Sequence, residues 1–151
     1  VTLKTINIKE AVTKGVEVYI EAKPMDELSL KANYTFTDAR DTSPDSPDFD
    51  KKLLRRPESK LGFYTSYSFI PKTNINAEVI WVGVREDVDF STYQRTELKG
   101  YVLLNLAAHY DVFDFLRLNA RAENLLDTDY EEVYGYGTAG LSFYGGIKLS
   151  L

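Results

Sequence analysis

The sequence predicts an all-β chain of about seven or eight long antiparallel strands in up-and-down order. Two observations carry this. Apolar and polar residues alternate with period two through most of the chain. The connections between the alternating runs are by turns short and long.

The runs follow one another in order. "GVEVYIEA" sets Val16, Val18, Ile20 and Ala22 against Glu17, Tyr19 and Glu21. "LSLKANYTFT" sets Leu28, Leu30, Ala32, Tyr34 and Phe36 against Ser29, Lys31, Asn33, Thr35 and Thr37. "LGFYTSYSF" puts Leu61, Phe63, Tyr67 and Phe69 on one side, and "NINAEVIWV" does the same with Ile75, Ala77, Val79 and Trp81. "VLLNLAAHY" groups Val102, Leu104, Leu106, Ala108 and Tyr110. "LRLNARAEN" opposes Leu116, Leu118, Ala120 and Ala122 to Arg117, Asn119, Arg121 and Glu123. The seventh run carries Leu141, Phe143, Ile147, Leu149 and Leu151. A less regular eighth strand is expected in "VTLKTINI".

"KPMDE", "IPKTN" and "DVFD" are short and carry Pro or Asp, as tight turns do. The polar loops between them are long: "DARDTSPDSPDFDKKLLRRPES", "REDVDFSTYQRTELK" and "DTDYEEVYGYGTAG". Short turns at one end and long loops at the other characterise an outer-membrane barrel, with turns in the periplasm and loops outside. The same alternation fits a soluble sandwich. Strand length argues for the membrane, since soluble strands average about 5–6 residues and tilted membrane strands about 9–11. The apolar stripe ending at Leu151 would then face lipid, with Ser142, Tyr144, Lys148 and Ser150 facing the wet lumen.

Composition narrows the function. The net charge of −5 argues against a nucleic-acid partner. Cysteine is absent, which excludes a disulfide framework and cysteine-based metal sites. No stretch approaches the roughly 18–20 apolar residues of a transmembrane helix. The chain begins with Val1 and is expected to be a piece of a longer one.

Several stretches resemble the C-terminal part of the barrel of TonB-dependent outer-membrane receptors. They are "NIKEAVTKGVEVYIEA", "LSLKANYTFTDAR", "LLRRPESKLGF" and "GYVLLNLAAHYDVFDFLRLNARAENLLDTDYE". "YEEVYGYGTAG" and "GVREDVDFSTYQ" look most like cobalamin (vitamin B12) transporters. The resemblance implies a segment of an outer-membrane importer that binds a large scarce nutrient and is energised through TonB. It also implies that residues 1–151 are the C-terminal portion of the barrel, with the plug domain, the TonB-engaging region and the N-terminal strands outside them. The family's terminal aromatic residue is replaced by Leu151, and an Arg common after the last loop is missing at Gly140-Leu141. The implied partners are outer-membrane lipid, cobalamin or another large nutrient, and TonB. No cofactor, metal or catalytic residue is expected.

The candidate substrate-binding residues are Arg55, Phe90, Tyr93, Tyr134 and Tyr136. Arg55 and Arg56 stand where a long loop meets a strand. They read as anion contacts or as a solvated rim. By the resemblance, Arg55 matches a substrate-facing position. Tyr134 and Tyr136, like Phe90 and Tyr93, offer faces to a large flat ligand such as a corrinoid, or form part of an interfacial aromatic belt. Cobalamin transporters tend to have Tyr where Phe90 stands. Asp41, Asp45, Asp48 and Asp50 offer oxygens suited to Ca²⁺, but without the spacing of a calcium loop. His109, with no Ser or Cys partner, reads as a solvated pore residue.

Three functions compete. One is a segment of a nutrient receptor, for cobalamin or, alternatively, for a siderophore. Another is a small self-contained barrel with a structural or adhesive role. An outer-membrane hydrolase rests on His109 alone and is the weakest.

Overall fold

The computed structural model describes residues 10–150. The expected strand in "VTLKTINI" and the terminal Leu151 lie outside them. Seven long strands form one antiparallel sheet. They are β1 (Ala11–Met25), β2 (Leu28–Asp41), β3 (Ser59–Tyr67), β4 (Thr73–Val82), β7 (Tyr101–Phe113), β8 (Leu116–Glu123) and β11 (Ser142–Leu149). Two small hairpins stand apart from it: β5 (Arg85–Asp89) with β6 (Gln94–Leu98), and β9 (Glu131–Val133) with β10 (Tyr136–Gly137). The sheet order is β1-β2-β3-β4-β7-β8-β11, so each long strand lies beside the next in the chain. Among the described residues β1 and β11 are its open edges.

Register settles the two faces, because residues paired across an antiparallel ladder point the same way. One continuous row runs Glu21–Lys31–Tyr64–Glu78–Asn105. On the same face Ala107 meets Arg121, which meets Tyr144, and Asp111 meets Arg117, which meets Lys148. The opposite face carries Ile20–Ala32–Phe63–Val79–Leu104, Val18–Tyr34–Leu61–Trp81–Val102 and Tyr110–Leu118–Ile147. Lys31, Asn33, Glu78, Asn105, His109, Arg117, Arg121 and Lys148 thus share the polar face. Leu30, Tyr34, Phe63, Val79, Trp81, Leu104, Leu118 and Ile147 share the apolar one, as the alternation requires.

Among the described residues no second layer covers the apolar face. The buried apolar residues among those described are Ala39, Val82 and Leu98, all at the long-loop end. Ile20 is 61 % exposed, Ile147 71 % and Phe143 72 %. A water-soluble domain hides such a face against another layer, whereas lipid solvates it. The polar face is hollowed into a cavity of about 440 Å³ lined by Lys31, Tyr64, Glu78, Asn105 and Arg121, among others.

The three short connections, at residues 26–27, 68–72 and 114–115, lie at one end together with Leu149, which pairs with Leu116. The segments 42–58, 83–100 and 124–141 emerge at the other end. β2 runs four residues beyond its alternating stretch: Asp38, Ala39, Arg40 and Asp41 pair with Lys14, Thr13, Val12 and Ala11. Those charges stand at the outer end, where water on both sides removes the need for an apolar face.

Candidate ligand-binding site

The three long connections fold against one another. Segment 42–58 doubles back along β2: the Leu53 N–H donates to the Ala39 carbonyl at 2.8 Å, and the Asp41 N–H to the Lys51 carbonyl at 3.0 Å. Asp41 accepts from the Ser43 N–H (2.8 Å) and the Ser46 hydroxyl (2.6 Å). Asp48 meets Lys51 and Arg95, and Asp50 meets Arg40. These carboxylates hold the loop in shape. Among the described residues no group of three or more His, Cys, Asp or Glu is gathered to hold a metal ion.

Asp87 lies at the centre, with no exposed surface. Its Oδ1 accepts from Arg55 Nε at 2.9 Å and from the Val88 N–H at 2.8 Å, and its Oδ2 from the Tyr134 N–H at 2.8 Å. Burial works to raise the Asp87 pKa. The Tyr134 and Val88 N–H groups and the Arg55 guanidinium more than offset this and hold it below the usual carboxylate value. Arg55 has a left-handed backbone (φ 58°), which costs a non-glycine residue roughly 1 kcal/mol or more. The donation from its own N–H to the Glu86 carbonyl at 2.7 Å fixes it there.

Other arginines add cross-links. Arg95 donates to the Glu86 carboxylate (2.6 Å) and to the Lys52 carbonyl, tying the β5–β6 hairpin to segment 42–58. Arg85, only 6 % exposed, donates to the Glu131 carbonyl and lies 5.3 Å from the Tyr101 ring centroid. Asn124, also left-handed (φ 52°), fastens the last segment. Its Nδ2 donates to the Thr128 and Ala139 carbonyls, and its Oδ1 accepts the Thr128 N–H.

Over this support lies an open cleft of about 370 Å³ lined by Arg55, Phe90, Glu132, Val133, Tyr136, Gly137 and Thr138. The Arg55 guanidinium carbon is 5.5 Å from the Phe90 ring centroid. Its side chain remains 42 % exposed although Nε is directed at Asp87. Tyr136 is 66 % exposed. Three of the five residues proposed from sequence therefore meet in one cleft, although they come from three separate connections. Tyr134 does not line it. It borders a neighbouring cavity of about 520 Å³ with Lys99, Gly100 and Tyr130, and its backbone N–H donates to Asp87. Tyr93 sits exposed at the tip of the β5–β6 hairpin, outside the cleft. Arg56 is exposed and also outside it.

A family model described as "TonB dependent receptor-like, beta-barrel" matches residues 2–125. The chain belongs to that family. It is therefore part of a Gram-negative outer-membrane barrel: the apolar face meets lipid, the polar face the lumen, and the long connections face outside. Its fold is similar to the ferripyoverdine receptor of the outer membrane of Pseudomonas aeruginosa, with 24 % identity and a TM-score of 0.75 over 92 % of this chain and 19 % of that one. It is similar to the siderophore receptor PiuA from Acinetobacter baumannii, with 17 % identity and a TM-score of 0.78 over 92 % and 22 %. It is also similar to the ferric-catecholate import receptor Fiu from K12 E. coli, with 18 % identity and a TM-score of 0.78 over 92 % and 21 %. The chain spans about a fifth of the length of these proteins.

In a TonB-dependent receptor barrel, the cleft therefore opens at the cell surface. Sequence reasoning missed Asp87, Arg85, Arg95 and Asn124. "REDVD" is four charges in five residues, so it reads as solvated loop and conceals a hairpin strand in which Arg85 and Asp87 are buried. Asn124 follows directly on β8 and left no signal that its side chain would turn inward.

Proposed function

We propose that this sheet forms part of an outer-membrane receptor that captures a large iron–siderophore or similar metal chelate at its outer loops. Import then follows with energy delivered through TonB and a plug domain. The observation that carries this reading is the cleft that joins the Arg55 guanidinium, the Phe90 ring and the exposed Tyr136 ring. A guanidinium offers a planar fork of donors suited to anionic oxygens, and the rings offer faces to the aromatic groups of a chelate. Ferric catecholate chelates carry both features, and other chelates carry them where anionic groups and aromatic rings occur elsewhere in the molecule. The receptors of similar fold, described as receptors for ferripyoverdine, a siderophore and a ferric catecholate, support the same class.

Cobalamin is the second reading. It rests on "YEEVYGYGTAG" and "GVREDVDFSTYQ". Phe90 weakens it, because a hydroxyl contact available to a tyrosine there is missing. The test is binding of a panel of ferric siderophores and of cobalamin to the receptor expressed from its whole reading frame. A stacked ring contributes about 0.5–1.5 kcal/mol beyond its area, so Tyr136→Ala is expected to weaken chelate binding by roughly tenfold. Tight cobalamin binding with no response to any ferric chelate would reverse the order of the two readings.

A further inference from the structure

We propose that Asp87 is the positioning residue of this cleft: its carboxylate couples three outer connections into one body, so that the cleft is formed before any ligand arrives. The proposal rests on the reading of the cleft as the ligand site.

The geometry singles out Asp87. Arg95 joins segment 42–58 to the β5–β6 hairpin, and Arg85 joins that hairpin to segment 124–141. Asp87 binds all three at once, through Arg55, its own neighbour Val88, and Tyr134. Each of its ligands leads to a wall of the cleft. Arg55 is itself a lining residue. Val88 precedes Phe90 by two positions in the chain, and Tyr134 separates Val133 from the Gly135-Tyr136 turn.

The left-handed backbone at Arg55 agrees with an imposed position. Such a conformation persists only where its surroundings over-determine it. A fully buried carboxylate that receives three donors leaves them all unpaired if it is removed, and the loss is then shared among the segments they belong to. Exposed loops ordinarily open independently, at little cost. Here three of them share one buried acceptor and should open together. Fixing a site in its bound shape lowers the ordering cost of association. Affinity should therefore depend on Asp87 although no ligand touches it.

The experiment is native-state amide hydrogen exchange on the whole receptor in lipid, without ligand, for the wild type, Asp87→Asn and Arg55→Gln. Asp26→Asn, at a periplasmic turn, serves as control. In Asp87→Asn the N–H groups of Arg55, Val88 and Tyr134 should all lose protection by about tenfold, while those of Val79 and Leu104 in the sheet stay unchanged. The decisive readout is Arg55→Gln. It should raise exchange at the Tyr134 N–H, which Arg55 does not bind, and it remains informative if Asp87→Asn fails to assemble. Tyr134 protection unaffected by Arg55→Gln would overturn the coupling. Chelate affinity, measured alongside, should fall about tenfold in Asp87→Asn. Coupled exchange with no chelate bound by the wild type would sink the proposed ligand class and leave the coupling standing. Coupled exchange with unchanged chelate affinity would overturn the positioning role.

Discussion

An arginine placed at Val79 should destabilise the barrel far more than one placed at Leu118, although both replace apolar residues on the lipid face. The registers supply the difference in depth. On β7, Leu104 is the partner of Val79 and Tyr110 the partner of Leu118. Six residues separate them, about 20 Å along a strand at roughly 3.3 Å per residue. With the strand tilt of about 35–45° usual for such barrels, that leaves roughly 15 Å of depth in an apolar band about 25 Å tall. Leu118 thus lies beside the periplasmic interface, level with Tyr110, and Val79 near the midplane. Val79→Arg should cost about 2–4 kcal/mol and Leu118→Arg about 0–1 kcal/mol. The third variant is Asn119→Arg, one residue from Leu118 but on the luminal face. Its partners are His109 and Gly146, and a Cβ added at Gly146 would meet nothing within 4 Å. There is room for the guanidinium in water, so this variant should be near neutral. The assay is denaturant unfolding of the receptor refolded into lipid vesicles, with folding followed by proteinase resistance of the barrel. Equal losses for Val79→Arg and Asn119→Arg would refute the assignment of faces, and a larger loss for Leu118→Arg than for Val79→Arg would refute the assignment of depth.

Other outcomes follow from single contacts. Gly15→Ala places a Cβ 2.3 Å from the Phe36 carbonyl oxygen, so the β1–β2 ladder must shift. The unfolding midpoint in the same assay should report a loss of about 1–3 kcal/mol. Asn124→Ala removes the hydrogen bonds that close segment 124–141 onto itself, and should lower hydrogen-exchange protection at Thr128 while sparing β8. The folded pKa of Asp87 is lowered, so its contribution is complete above the unfolded value of about 3.9 and is lost as pH falls through the folded value. A nitroxide label at Thr92 should therefore gain mobility as pH is lowered from roughly 6 to roughly 2, and a spectrum unchanged over that range would contradict the role given to the carboxylate.

The membrane-facing half of the molecule was legible in the sequence because lipid and lumen impose a strict period of two. Leu30, Val79, Leu104 and Ile147 fall where the alternation places them, and so do Lys31, Glu78, Asn105 and Lys148. Outside the bilayer that constraint lapses. Asp38–Asp41 continue β2 with charge on both faces, and the hairpins β5–β6 and β9–β10 were read as irregular loop. The candidate site was half legible for the same reason. Arg55, Phe90 and Tyr136 stood out as residue types suited to a ligand. The support beneath them consists of hydrogen bonds between segments dozens of residues apart, and local pattern carries no trace of such pairings. Tyr93 and Tyr134 have the same chemistry as Tyr136, and only the fold separates them from it.

Uptake by living cells separates an energised chelate receptor from a passive barrel. The receptor, expressed as the sole route for the ligand in a strain lacking its other outer-membrane importers, is offered radiolabelled iron as ferric siderophores and, separately, labelled cobalamin. The assay is run with and without the proton-motive force, and with Tyr136→Ala beside the wild type. Iron from at least one siderophore is expected to accumulate, to stop accumulating when the force is collapsed, and to accumulate several-fold less in Tyr136→Ala. Accumulation that persists in de-energised cells, or is indifferent to Tyr136, would contradict the proposed function.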